Sequence, residues 1–212
     1  MTPGVTLAVG IAALDLDVDT ASQAKLLQYV ALLGKWNRTH NLTAIREPER
    51  VVTLHLLDTL AALPHLPQSA SLRLIDIGSG GGIPGLPLAV ARPGWQVTLI
   101  DSNRKKTAFL RQAVAELGLP NVEVVTARVE DYVPTQPFDV AIARAFSELA
   151  RFVSAASPLV RPGGPLIAMK GTYPRAEIEA LPTAIRIVAE PALEVPGLDA
   201  ERHLLVMASV PQ

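Results

Sequence analysis

Three glycines, two aspartates and an arginine are the residues of this chain whose types and spacing could do chemistry. Residues 72–85 read LRLIDIGSGGGIPG. Leu74, Ile75 and Ile77 form a short apolar run typical of a buried parallel strand, and the run ends in Gly78, Ser79, Gly80, Gly81 and Gly82. Glycine lets a backbone turn sharply and come close to a ligand where a Cβ would collide. A second run, QVTLI at 96–100, ends at Asp101. An acidic residue at such a strand tip can accept hydrogen bonds from both hydroxyls of an adenosine ribose. It can also cap the next helix. The two roles are compatible, and both stay open.

Spacing narrows the ligand. A dinucleotide fingerprint G-x-G-x-x-G begun at Gly78 requires glycine at position 83, where Ile83 stands. G-x-G-x-G, with acidic Asp76 two residues ahead, fits an adenosylmethionine-binding loop better. Asp101 comes nineteen positions after Gly82, a separation that nicotinamide-binding folds share, so it does not separate the two cofactors.

The elements that must position these groups can be read from periodicity. Strands are expected at 72–77, 96–100, 122–126, 138–143, 166–170, 184–190 and 203–209. Helices are expected at 20–38, 47–63, 84–91, 103–117, 147–159 and 174–180. From residue 72 onward strand and helix alternate, which implies an α/β fold with a mostly parallel sheet and helices on both faces. The last two strands lack a helix between them, so an antiparallel edge pair is expected. Residues 1–71 read as an N-terminal helical extension and linker, and 72–212 as the catalytic domain, the two packed as one unit. Ligands of such sheets bind beyond the carboxyl ends of the strands. Four successive strand ends carry candidate contacts there: the glycine loop, Asp101, the Arg128-Val129-Glu130 stretch and Arg144.

Composition bounds the class. The chain has 212 residues, a formal charge of −1 and no cysteine, which excludes disulfides, thiolate metal sites and a cysteine nucleophile. No run of about 18 uncharged apolar residues is present, so a membrane span is not expected. The N-terminus has no basic region of the secretory type, and a cytoplasmic monomer is the expectation. Charge is unevenly spread. Residues 102–115 hold Arg104, Lys105, Lys106 and Arg111 without an acid, and 34–46 hold Lys35, Arg38 and Arg46 without one. A neutral protein can therefore carry a basic face. His40, His55, His65 and His203 have no metal-ligand spacing, so no metal is expected. His55 and Asp58, at i and i+3, are expected to share a structural hydrogen bond.

The chain resembles the glucose-inhibited division protein B family, the small-subunit ribosomal RNA guanine-N7 methyltransferases. LIDIGSGGGIPGLPLA, LIDSNRKKTAFLRQ, ARVEDY, FDVAIARAF, MKG and ERHLLV occur in the family's order. The stretch KWNRTHNLTAIREPERVVTLHLLDTL is similar to its N-terminal signature. The resemblance covers about residues 22–209. Thr59 stands where serine is common and Ala200 where glycine is common; neither removes a group needed for cofactor binding.

The resemblance implies a class I, Rossmann-like fold and methyl transfer from S-adenosyl-L-methionine to N7 of a guanine in 16S ribosomal RNA. The partner would be that RNA or the small ribosomal subunit. Gly78 and Ile83 would line the cofactor pocket, with Val129 and Glu130 at the adenine end; Ser79, Gly80 and Gly82 join them as members of the glycine loop, and Asp101 on the ribose by the strand-end argument. Arg144 would lie near the methionine end or the target base, as the catalytic positioning group. A guanidinium there can bind the cofactor carboxylate, steer the guanine O6/N7 edge, or simply form a salt bridge; the carboxylate role is preferred. Guanine N7 carries a lone pair and no proton, so no general base is required. Arg104, Lys105, Lys106, Arg111, Lys170, Arg202 and His203 are the candidate contacts to RNA, and a solvated helix face is the alternative for the 104–111 cluster. Two other classes remain in view: a methyltransferase of another RNA, a protein or a small molecule, and a non-catalytic ribosome-binding factor. A nicotinamide-dependent reductase is the least favoured.

Overall fold

The computed structural model describes residues 1–144, 146 and 148–210. Ala145 of the ARAF motif and Ser147, the first residue of the helix expected over 147–159, lie outside the described residues, as do positions 211 and 212.

The chain begins with two helices, α1 (Pro3–Ala13) and α2 (Thr20–His40). Periodicity indicates only the second. Thr2 caps α1 and Asp19 caps α2, each side chain accepting a backbone N–H three residues on. The stretch expected as one helix over 47–63 is broken in its middle. It runs α3 (Pro48–Val51), a π-helical turn over Val52–Leu57, then α4 (Asp58–Leu60). A π-turn adds a residue to the coil and rotates the next turn about the helix axis, and such turns gather at functional sites. Here it carries His55 and leads directly into Asp58.

Among the described residues seven strands form one sheet: β1 (Arg73–Ile77), β2 (Gln96–Asp101), β3 (Val122–Thr126), β4 (Val140–Arg144), β5 (Leu166–Lys170), β6 (Ile185–Ala189) and β7 (His203–Ser209). Their order is β3-β2-β1-β4-β5-β7-β6. The first five are parallel; β7 runs antiparallel between β5 and β6. The expected antiparallel pair at the sheet edge is thus present, with β7 inside and β6 outermost. Between the strands lie α5 (Gly85–Ala91), α6 (Arg104–Leu117), α7 (Leu149–Ala156) and the short α8 (Arg175–Glu179).

Alternation along the strands builds two cores. Leu74, Leu99 and Ile142 face the helices α1 to α6, whereas Ile75, Ile77, Ala141 and Ala143 face α7. The first core is continuous from Leu7 and Leu26 in the N-terminal helices to Leu204 in β7. Truncating a fully buried member such as Leu99 to alanine costs about 2–5 kcal/mol by the usual cavity argument. Strand order reverses between β1 and β4, so the crevice beyond their carboxyl ends is the place for a ligand.

Candidate functional site

The glycine loop leaves β1 at that crevice. Gly78, Gly80 and Gly82 have φ of 74°, 56° and 89°, the left-handed region that favours glycine. Gly82 has a second reason, since a Cβ there would overlap Leu86 and press on Leu110. At Gly78 a Cβ would meet nothing within 4 Å. The loop is clamped from three directions. The buried Tyr29 hydroxyl of α2 donates to the Gly81 carbonyl at 2.6 Å. The Ser79 hydroxyl donates back to the Asp76 carbonyl at 2.8 Å. Gly80 N–H donates to Asp101 Oδ2 at 3.0 Å.

Asp101 therefore ties the tip of β2 to the loop after β1. Its other oxygen accepts from Asn103 N–H at 2.8 Å, and Asn103, not Asp101, caps α6 with Oδ1 facing the Lys105 and Lys106 amides. The carboxylate still opens on a cavity of about 320 Å³ whose walls include Gly78, Lys106, Val129, Glu130 and Phe146. Four of the residues expected at the cofactor come together here: Gly78, Asp101, Val129 and Glu130. Gly80, Gly82 and Ile83 lie outside this cavity's lining. Ser79 is withdrawn altogether, because its hydroxyl and its N–H are both taken by main-chain carbonyls and it is 1% exposed. It shapes the loop without reaching the cavity.

A second cavity, of about 240 Å³, opens past β4 and β5 and is lined by Asp58, Arg144, Met169, Lys170, Arg202 and His203 among others. Asp58 organises it. Its Oδ1 accepts from Arg202 Nε at 2.8 Å and its Oδ2 lies 3.1 Å from Arg144 Nη1. The second contact is an ion pair whose angle misses hydrogen-bond geometry, so Arg144 keeps a buried Nη1–H without an acceptor among the described residues. Arg144 Nη2 meets His55 Nδ1 at 3.1 Å, and His55 Nε2 meets the Thr43 hydroxyl at 2.8 Å. His55 Nδ1 also lies 2.9 Å from the Leu54 carbonyl. A guanidinium only donates and a carbonyl only accepts, so Nδ1 stands between a donor and an acceptor and satisfies one of them at a time. Contrary to expectation, His55 and Asp58 do not bond to each other; the π-turn sets both against Arg144.

The electrostatics are set by burial. Desolvation, reinforced by the Arg144 charge, pushes the His55 pKa down to about 4, so the ring is neutral near pH 7. Desolvation raises the Asp58 pKa, while Arg144 and Arg202 oppose that rise. Beneath the glycine loop Asp76 is fully buried. One oxygen accepts from Gly85 N–H at 2.9 Å and the other has no partner, and burial raises its pKa to about 7. Among the described residues no three His, Asp or Glu side chains gather to hold a metal.

The candidate RNA contacts separate into three groups. Arg104 and Lys105 are exposed on the first turn of α6. Arg202 and His203 line the second cavity, while Lys106 lines the first with its amine 4.0 Å from Asp101. Arg111 is turned onto the sheet, donating to Thr126 Oγ1 at 2.7 Å. Lys170 is held by both Glu177 oxygens at 3.0 and 2.9 Å and also donates to the Phe146 carbonyl. Glu177 in turn accepts the Leu149 N–H, so Lys170 locks α7 and α8 to the end of β5. Arg111 remains exposed, whereas the Lys170 amine is paired with Glu177. The residues that sequence reasoning missed are Asp58 as the hub and Tyr29 as the loop clamp. Tyr29 sits at an ordinary apolar position of an amphipathic helix, and nothing local marks its hydroxyl.

A parallel sheet of this order, a glycine loop at the switch point and a carboxylate at the tip of β2 define a class I adenosylmethionine-dependent methyltransferase. Solved structures share the fold: a SAM dependent methyltransferase from Aquifex aeolicus is 18% identical, with a TM-score of 0.58 over 84% of this chain and 98% of that one. The glycopeptide N-methyltransferase MtfA, complexed with adenosylmethionine, is 13% identical, with a TM-score of 0.59 over 72% of this chain and 94% of that one. Within that class the chain belongs to the rRNA small subunit methyltransferase G (GidB) family, which it matches over residues 22–205. Ribosomal RNA small subunit methyltransferase G of Chromobacterium violaceum is 56% identical over 93% of this chain and 94% of that protein. The protein of the same name from Nitrosospira multiformis is 50% identical over 98% of each.

Proposed function

We propose that this chain methylates N7 of one guanine in bacterial 16S ribosomal RNA, using S-adenosyl-L-methionine. The observation that carries the reading is a pair of cavities, one walled by Gly78 and Asp101 and one by the Asp58-held arginines, whose linings are linked by the Lys170 bond to the Phe146 carbonyl. The residues present fit the cofactor. Gly78 leaves open space for a close backbone approach, and Asp101 offers a carboxylate to the ribose hydroxyls. Val129 and Glu130 border the same space. The orphaned Nη1–H of Arg144 suits a carboxylate such as that of the methionyl group. When bound, adenosylmethionine supplies a methyl group on a positively charged sulfur.

The protein's part is then to hold and to exclude water. Guanine N7 offers its lone pair without losing a proton, so the site has no need of a base, and its titratable groups are in fact committed. His55 is neutral and bonded, and Asp58 is shared by two arginines. Alignment of two reactants in this way can supply roughly 7–11 kcal/mol of the barrier. Arg144 acts as the positioning group. Arg202 and His203, on the wall of the second cavity, face the side from which the base enters. The N-terminal helices and the sheet act as one cytoplasmic, monomeric unit; no helix among the described residues is long and apolar enough to cross a membrane.

The test is transfer of labelled methyl to small ribosomal subunits from a strain lacking this gene, with nucleoside mapping of the product. Label in N7-methylguanosine at a single position, lost with Gly78→Asp, is the expected result. Cofactor binding without RNA methylation would overturn the assigned acceptor.

A further inference from the structure

A third cavity lies away from both of these, on the N-terminal helices. It is a groove of about 640 Å³ between α1, α2 and the start of α3, with Leu27, Val30 and Gly34 on its floor and Lys35, Arg38 and Arg46 among its walls. Among the described residues no acidic side chain lines it. None of the three basic side chains makes an ion pair among the described residues; the nearby Glu47 is directed to Arg50 instead. Leu27, Gly34 and Arg38 fall on one stripe of α2, at i, i+7 and i+11.

Gly34 makes this groove more than a gap. It sits inside a 21-residue helix, where glycine is destabilising relative to alanine. A Cβ there would meet nothing within 4 Å, so no packing inside the protein requires glycine. The absent side chain keeps the groove floor open.

The groove is also joined to the Arg144 network. Asn37, on its wall, accepts the Thr43 N–H at 2.9 Å, and Thr43 holds His55, which meets Arg144. The loop 41–46 thus links the groove to the Arg144 network.

We propose that this groove is a second docking site for the substrate RNA. It would take an unpaired nucleotide away from the methylated guanine, the base over Gly34 and the flanking phosphates on Lys35, Arg38 and Arg46. Basic side chains fix register through phosphates, and splayed bases are what proteins grip in folded RNA. The inference rests on the RNA substrate proposed above. Its role is to hold the strand so that the target base enters beside Arg144.

Two variants test it in the full-length protein: the neutral triple variant Lys35→Gln/Arg38→Gln/Arg46→Gln, and Gly34→Trp, which fills the floor. Thermal melting establishes that each is folded. With unmethylated small subunits the triple variant should raise KM at least tenfold, with kcat and cofactor affinity within twofold. Its salt dependence should flatten by about two phosphate contacts' worth, roughly 0.7 in log–log slope for each. Gly34→Trp should raise KM at least fivefold with an undiminished melting temperature. Folded variants with wild-type KM and salt slope would overturn the proposal. If wild type binds subunits but transfers no methyl, the enzymatic reading fails, and co-sedimentation of wild type against the triple variant then decides the groove: weaker binding supports it, equal binding overturns it. A defect on subunits but not on protein-free 16S RNA would make the occupant a ribosomal protein and overturn the RNA assignment. No binding by wild type to either would overturn both readings.

Discussion

The Tyr29 hydroxyl and the Gly81 carbonyl, 52 residues apart in sequence, meet at 2.6 Å in a fully buried contact. This bond fastens the N-terminal helical layer to the loop that opens the crevice, so α2 helps to hold the shape of the glycine loop. Tyr29→Phe keeps the ring packing against Phe109 but strands the carbonyl. Leaving one buried acceptor unmade costs about 1–3 kcal/mol. The expected outcome is a lowered melting temperature and several-fold weaker adenosylmethionine binding by calorimetry, with kcat at saturating cofactor changed little.

Asp58 holds two guanidinium groups, and its loss should separate binding from chemistry. Asp58→Ala leaves the half-buried Arg144 and Arg202 without their carboxylate, a change that costs less than the ~3–5 kcal/mol of a fully buried pair because water reaches both guanidiniums. Asp58→Asn retains the shape and is the informative variant. Methyl transfer should fall at least a hundredfold because Arg144 is no longer held, while adenosylmethionine binding falls far less. Equal loss of both would mean that Asp58 supports the fold alone.

Two buried groups give stability opposite pH dependences. The Asp76 pKa is raised from 3.8 to about 7, so between those values the folded state keeps a proton that the unfolded chain has released, and stability falls as pH rises from about 4 to 7. The His55 pKa is lowered from 6.5 to about 4, so the unfolded chain holds the extra proton, and stability rises over the pH range 4 to 6.5. In the wild type the two slopes oppose each other. Urea unfolding of Asp76→Asn should therefore show a stability that climbs with pH up to about 6.5. His55→Asn should show one that declines toward about pH 7.

Two glycines invite opposite responses to a methyl group. At Gly82 a Cβ overlaps Leu86, and φ is 89°, so Gly82→Ala should cost about 1–3 kcal/mol through overpacking and backbone strain. At Gly34, inside a helix with open space around it, Gly34→Ala should stabilise by about 0.5–1 kcal/mol. Chemical denaturation of the two variants beside wild type reads both signs directly.

Lys170 shows that a strand-end position does not reveal the side chain's partner. It stands at the end of β5 beside the second cavity, as its place in MKG suggested, yet Glu177 from α8 occupies its amine. An i, i+7 pair across a turn has no fixed sequence pattern, so the partner could not be read in advance. Glu177→Gln should loosen the α7 start and lower the melting temperature, with cofactor affinity reduced through Phe146 on the first cavity's wall.

The features that the sequence determined by itself were local in origin. Alternating apolar runs give strands with two buried faces, glycines at positive φ give the loop after β1, and Asp101 closes β2. All of these arise from neighbours within a few residues, so periodicity and turn chemistry sufficed to place the elements after residue 72 and the crevice beyond them. Helix α1 and the π-turn over Val52–Leu57 escaped, because an all-round apolar segment carries no clear period and one extra residue in a helical turn leaves no compositional trace. Only the tertiary structure decided which charges are free. Asp58 with Arg144 and Arg202, Tyr29 with Gly81, and Lys170 with Glu177 are pairings imposed by how the helices cross the sheet. A charged side chain is spent or available according to the partner that packing brings to it, whether that partner is 7 residues away, as for Lys170 and Glu177, or 144, as for Asp58 and Arg202.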